Sequence, residues 1–269
     1  APANATCASA QSLGAGAMTS VNLADASDDV RFANCSPAGA GEVFFGLSLA
    51  ARSDVVANLS GAGRSDTNVV VARGGCAQPE VLACAQGPFN PVPLYGVEPG
   101  PLLVVLEERR AARPGDAYTC RRRSRTVDLA VSVQPSPSPP PNDTCATTSS
   151  ISFPRGLNSI ETVQGTTRGA ASDFASVSCG GFMRPAPAGD VGWAVDVPVA
   201  GRLRVEKTPR SFDDVLSLHT GVCGGAAATA CSVSSSRPLE TQGLAPGRYW
   251  LRVDGGARTT PQDFSLTLT

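Results

Sequence analysis

Along much of the chain, large apolar side chains recur at every second position. Val43-Phe44-Phe45-Gly46-Leu47-Ser48-Leu49 does this, and so does Val191-Gly192-Trp193-Ala194-Val195-Asp196-Val197. Such alternation predicts half-buried strands, with Trp193 in phase with Val191, Val195 and Val197 and therefore in a core. Further strands are predicted at Thr67 to Ala72 and Asp214 to His219, at Leu102 to Leu106 and Tyr249 to Val253, and at Val127 to Val133 and Phe264 to Thr269. Turn signals separate them, among them Arg73-Gly74-Gly75, Pro99-Gly100, Gly224-Gly225, Pro246-Gly247 and Gly255-Gly256. Little helix is expected.

The strands fall into two matching sets. Asn4-Ala5-Thr6-Cys7-Ala8 is answered by Asn142-Asp143-Thr144-Cys145-Ala146. Cys76, Cys84 and Pro99-Gly100 map onto Cys223, Cys231 and Pro246-Gly247 at one offset of 147. A Pro-rich run, Gln134-Pro135-Ser136-Pro137-Ser138-Pro139-Pro140-Pro141, lies between the sets and predicts a semi-rigid polyproline spacer. The expected organisation is all-β: an antiparallel β-sandwich over 1–134, a linker over 135–141, and a second antiparallel β-sandwich over 142–269.

With 22 basic and 23 acidic residues and an apolar fraction of 42%, the chain is neither a polyanion-binding tail nor a disordered polymer. No nucleic-acid partner is expected. The longest purely apolar run, Leu102 to Leu106, is far short of the roughly 20 residues of a spanning helix, so no membrane span is expected. Ala1-Pro2-Ala3 reads as the start of a mature chain after signal removal. Lys207 is the only Lys, a bias that suggests a GC-rich bacterial genome. Nine Cys without a Cys-x-x-Cys pair, and one His, do not make a zinc site and point to an oxidising compartment: a secreted, extracellular or cell-surface protein.

Cys76 and Cys84 are eight apart, as are Cys223 and Cys231, and each pair is expected to close a hairpin. Cys7–Cys35 and Cys145–Cys179 are then the remaining bridges. Cys120 has no counterpart in the second repeat and is expected to be unpaired or intermolecular. It sits in an insertion, 107–125, with Arg109, Arg110, Arg113, Arg121, Arg122, Arg123 and Arg125. That segment reads either as a patch for an anionic partner or as a solvated hairpin.

Enzyme chemistry finds little support. His219 is the only His, on a predicted strand face with Val215 and Ser217, and no Gly-x-Ser-x-Gly, His-Glu-x-x-His, phosphate-loop or dinucleotide motif is present. Asp190, Asp213, Asp214 and Asp254 are weak candidates for Ca²⁺, or else turn and strand-end carboxylates. Trp250 shares a face with Arg248 and Arg252. It is a contact aromatic if exposed, and otherwise a covered one.

The Asn-x-Thr-Cys-Ala start, Ser211-Phe212-Asp213-Asp214-Val215-Leu216-Ser217-Leu218, the Cys223 and Cys231 spacing, and Leu244-Ala245-Pro246-Gly247-Arg248-Tyr249-Trp250-Leu251 together resemble the pre-peptidase C-terminal-like domains of secreted bacterial proteins. The resemblance implies a jelly-roll-like sandwich, extracellular location and no catalytic activity. Family members bind Ca²⁺ through an acidic loop, matrix proteins or polysaccharide. Here Ser232-Val233-Ser234-Ser235 and Ala85-Gln86-Gly87 stand where the acidic loop is expected. The function expected is a non-catalytic extracellular structural component, joining copies of itself as a filament or matrix subunit, since contacts between repeated domains propagate unless they close. The alternative is a carbohydrate- or matrix-binding accessory module, with Ca²⁺ as its only candidate cofactor.

Overall fold

In a computed structural model the chain divides into two compact units, Ala1–Pro135 and Ser136–Thr269. The structure describes residues 2–23, 26–32, 35, 41–86, 91–108, 126–153, 159–172, 174, 189–210, 214–225, 228–233, 237–255 and 261–269. Cys120, Cys179, Asp213 and the seven arginines of the insertion lie outside them.

Unit 1 contains β1 (Gln11–Leu13), β2 (Met18–Asn22), β3 (Glu42–Leu49), β4 (Ser53–Ser60), β5 (Thr67–Arg73), β6 (Glu80–Gln86), β7 (Val92–Val97), β8 (Gly100–Glu108) and β9 (Thr126–Pro135). One sheet has the order β1-β3-β8-β5-β6 and the other β2-β9-β4-β7. Unit 2 repeats the plan with β10 (Ser149–Ser152), β11 (Glu161–Thr166), β12 (Asp190–Val197), β13 (Arg204–Thr208), β14 (Val215–His219), β15 (Ala230–Val233), β16 (Leu239–Glu240), β17 (Gly247–Asp254) and β18 (Asp263–Leu268). Its sheets run β10-β12-β17-β14-β15 and β11-β18-β13-β16. No helix among the described residues is long and apolar enough to cross a membrane.

Alternation explains the cores. In β4, Val55, Ala57 and Leu59 point inward while Asp54, Val56 and Asn58 do not, and they meet Phe45, Val71, Val104 and Leu106 from the facing sheet. In unit 2, Trp193 packs edge to face on Phe264, with ring centroids 6.0 Å apart. The central strands β3, β5 and β8 are buried almost throughout, because a second layer covers their other face.

The repeated Asn-x-Thr-Cys motif starts each unit. Asn4 accepts a hydrogen bond from Phe44 N at its backbone oxygen and donates from Nδ2 to Phe44 O, at 2.9 and 3.0 Å. The Asn142 oxygen accepts from Gly192 N at 3.0 Å, at the same place in β12. Thr6 is bonded to Ser9, and Thr144 to Thr147, fixing the short turn that follows.

The disulfide pairing differs from the expectation, and the antiparallel plan and the unit boundaries gain detail. Each unit is antiparallel except for one parallel pair, β1 with β3 (Gln11↔Phe45) and β10 with β12 (Ser149↔Trp193). The bridges are Cys7–Cys76, Cys35–Cys84 and Cys145–Cys223, instead of Cys7–Cys35, Cys76–Cys84, Cys145–Cys179 and Cys223–Cys231. Cys231 is also disulfide-bonded. The reason is register: Val70 faces Cys84 across the first hairpin, and Ser217 faces Cys231 across the second. The cysteines eight apart are thus out of step with each other. Finally, Pro135 ends β9, whereas the next residues belong to unit 2, where a Cβ on Gly169 would stand 2.6 Å from Pro137 O. Glu107 and Glu108, placed in the insertion by sequence, complete β8.

Candidate functional site

The face of the β10-β12-β17-β14-β15 sheet turned away from the core holds most of the reactive side chains. Because Val191, Leu216, Leu218, Leu251 and Val253 point into the core, alternation sends Asp190, Gly192, Ser217, His219, Trp250, Arg252 and Asp254 to this outer face. Arg252 is buried and donates from Nη2 to Asp190 Oδ2 at 3.1 Å and to Asp254 Oδ2 at 2.6 Å. Its guanidinium lies 5.3 Å from the centroid of the Phe174 ring. Burial pushes the Asp254 carboxyl up to about 6, against the opposing pull of Arg252. Nearby, Lys207 and Asp214 form a fully buried pair at 2.6 Å, with Lys207 Nζ 4.9 Å from the Phe264 ring centroid.

These contacts revise the Ca²⁺ candidates. Asp190 and Asp254 flank Arg252, and Asp214 holds Lys207, so two internal cations occupy the positions offered to a metal. Among the described residues no group of three His, Cys, Asp or Glu is arranged to hold one.

His219 acquires a partner that the sequence reading did not assign it. Its Nε2 lies 2.8 Å from Ser217 Oγ, and both residues are buried. The spacing of two on a strand, which puts both on one face, was the available signal. The cavity beside them, between Phe174, Gly224 and Trp250, measures about 10 Å³, at the limit for a single water. Trp250 is half-buried, and its Nε1–H donates to Gly221 O at 2.9 Å, so the turn after β14 of its own unit holds it.

In unit 1 the corresponding layer is apolar. Phe44, Val70, Ala72, Leu103 and Val105 pack with Phe32 and the Cys35–Cys84 bridge. Glu42 and Glu107 face each other across β3 and β8, where unit 2 has Asp190 and Asp254. Glu42 accepts backbone N–H bonds from Asp29 and Val30 at 3.1 and 2.9 Å. Burial, reinforced by the charge of Glu107, nevertheless pushes its carboxyl up to about 7.

The surface carries two further features. β1 (Gln-Ser-Leu), β2 (Met-Thr-Ser-Val-Asn), β10 (Ser-Ser-Ile-Ser) and β15 (Ala-Cys-Ser-Val) are outer strands with neither charge nor Pro. Met18 on β2 and Ile160 just before β11 stand 76% and 67% exposed. A groove of about 330 Å³ opens between β1 and β2.

No family model and no curated protein matches the sequence. Among solved structures, the pre-peptidase C-terminal domain of a Bacillus anthracis collagenase is similar at 13% identity with a TM-score of 0.29, over 45% of this chain and 94% of that one. The CUB1-EGF-CUB2 domains of rat MASP-1 align at 9% identity and TM-score 0.23, covering 96% and 98% of the two chains. A conserved Pseudomonas aeruginosa protein of unknown function aligns at 10% identity and TM-score 0.19, covering 94% and 98%.

Proposed function

We propose that this chain is a non-catalytic extracellular structural protein whose copies join through their outer strands. The observation that carries the reading is the undefended edge. Proteins that remain monomeric blunt their edge strands with Lys, Pro or bulges, because unpaired N–H and C=O groups recruit another strand. β1, β10 and β15, three or four residues long, carry no charge or Pro, and β2, with five residues, also presents the exposed apolar side chain of Met18. Three disulfides between described residues, with Cys231 bridged as well, support an oxidising, extracellular setting.

Light scattering and electron microscopy of the native protein test the reading. Oligomers or filaments are expected, and the Met18→Lys, Ser150→Lys variant is expected to be monomeric with unchanged circular dichroism. A native protein that stays monomeric at high concentration overturns it. Cys120→Ser separates a covalent link from strand pairing, which survives that substitution.

A further inference from the structure

Inside unit 2 an amine and a carboxyl group are pressed together with water shut out, a juxtaposition whose chemistry is independent of self-association. Lys207, the single Lys among 22 basic residues, lies in β13 with its side chain 1% exposed. Its Nζ stands 2.6 Å from Oδ2 of Asp214, whose side chain is 2% exposed just before β14. Nζ also donates to Pro209 O at 3.1 Å, and the Phe264 ring, 4.9 Å away, shields it. Gln262 Nε2 donates to the same Asp214 oxygen at 3.3 Å. We infer that Lys207 and Asp214 condense into an amide, a covalent bridge between the two sheets of unit 2. β13 belongs to one of those sheets and β14 to the other.

Unit 1 shows that the sandwich needs no charge at these places. Lys207 stands opposite Leu266 as Leu59 stands opposite Leu129, and Leu59 is a plain core residue. Val215 faces Asp254 as Asn68 faces Glu107, so Asp214 takes the place of Thr67, whose hydroxyl bonds to Gly63 O. A permanent ion pair in the core is a poor source of stability, because both charges give up their hydration, whereas an amide carries no charge to desolvate. The charge of Asp214 also adds to the burial that pushes up the neighbouring Asp254 carboxyl, and an amide removes that repulsion. The choice of base points the same way. Every other basic residue of the chain is Arg, which stays protonated, while Lys stripped of its proton in a dry site is a nucleophile.

The step balances without a co-reactant. One proton of the Lys207 ammonium passes through the 2.6 Å contact to the Asp214 carboxylate, leaving a neutral amine and a neutral acid. The Nζ lone pair attacks Cγ, the C–N bond forms, and one C–O bond of the carboxyl group breaks. The departing oxygen leaves as water with the transferred proton and a second proton from Nζ, and the third stays on the amide nitrogen. Pro209 O holds Nζ in place, and Gln262 polarises the carboxyl group.

The test is the intact mass of the full chain, folded and oxidised, then reduced and denatured for measurement. The mass is expected to fall short of the sequence mass by one water. After trypsin, the fragment carrying Lys207 is expected to remain attached to the fragment carrying Asp214, with tandem fragmentation placing the branch at those two residues. Lys207→Arg keeps the cation and removes the nucleophile, and is expected to show the full sequence mass. Asp214→Asn is expected to lose ammonia in place of water and so to reach the same final mass as the unaltered chain. If neither variant folds, the branched fragment of the unaltered chain decides alone. A full sequence mass for the folded chain, with tryptic cleavage after Lys207, overturns the inference. A water loss that persists in Lys207→Arg, or a branch at another residue, overturns it as well.

Discussion

The two units differ most in the layer over the outer face of their five-stranded sheets. Position for position, Phe44, Val70, Ala72, Leu103 and Val105 in unit 1 become Gly192, Ser217, His219, Trp250 and Arg252 in unit 2. Strand order is kept, and the Cys7–Cys76 bridge has its counterpart in Cys145–Cys223. The comparison teaches that the hydrogen-bonded frame and the inner core specify this fold, whereas the outer layer tolerates either chemistry provided its groups are matched. An apolar layer is held by packing. A polar one needs Arg252 between its two carboxylates, because an unpaired buried charge costs several kcal/mol.

The largest expected effect is on what the units share. The Cys7–Cys76 and Cys35–Cys84 loops span 69 and 49 residues, and each closure stabilises by about 4 kcal/mol in the chain-entropy model, against about 5–15 kcal/mol for a whole domain. Replacing all four cysteines by Ser is expected to abolish amide-exchange protection in β3, β5 and β8 while leaving β12, β14 and β17 protected. Protection retained in unit 1 means that its apolar layer suffices without bridges.

Next comes the contrast itself. Arg252→Met strands Asp190 and Asp254 and is expected to cost about 3–5 kcal/mol, read by chemical denaturation of unit 2. Adding Asp190→Asn and Asp254→Asn to it is expected to restore more than half. A cost for Arg252→Met below about 1 kcal/mol contradicts a charge-matched layer.

The carboxyls then separate the units by pH. Glu42 rises from 4.5 to about 7 and Asp254 from 3.8 to about 6 on folding. Each folded unit therefore holds a proton that its unfolded chain releases. The stability from this proton is full below the unfolded value and disappears as pH rises through the folded one, by at most about 3 kcal/mol per site. Unit 1 is expected to weaken between pH 4.5 and about 7 and unit 2 between pH 3.8 and about 6. Glu42→Gln is expected to flatten the first profile alone, in thermal melts across pH. The smallest effect is steric: a Cβ on Gly192 meets Phe174 Cζ at 3.0 Å, so Gly192→Ala is expected to cost about 1 kcal/mol, seen as a small drop in the melting temperature of unit 2.

Much of this architecture is legible in the sequence, because strands buried on one face announce themselves by alternation. Val43 to Leu49 and Val191 to Val197 do so, and the offset of 147 aligns nearly all the layer positions just compared. The parallel partners β1 and β10 are not legible: Gln-Ser-Leu and Ser-Ser-Ile-Ser are too short to carry a period and pair out of chain order. Bridge choice is equally hidden, since it depends on which residue stands opposite Cys84 and Cys231. The groove draws on Asn4, Gln11 and Thr19 to Asn22, ordinary polar residues until two edges bring them together. Arg252 between Asp190 and Asp254 needed the β12 and β17 register, without which the same aspartates resemble a cation site.

The Cys145–Cys223 bridge also governs how unit 2 answers a pull. Tension arriving from the N-terminal side reaches Cys145 and crosses the bond directly to Cys223, so the 78 residues of the loop bear no load while it is intact. That withholds on the order of 260 Å of extendable chain. Unit 2 pulled through its two ends therefore yields less length while this bridge is intact than after its thiols are reduced.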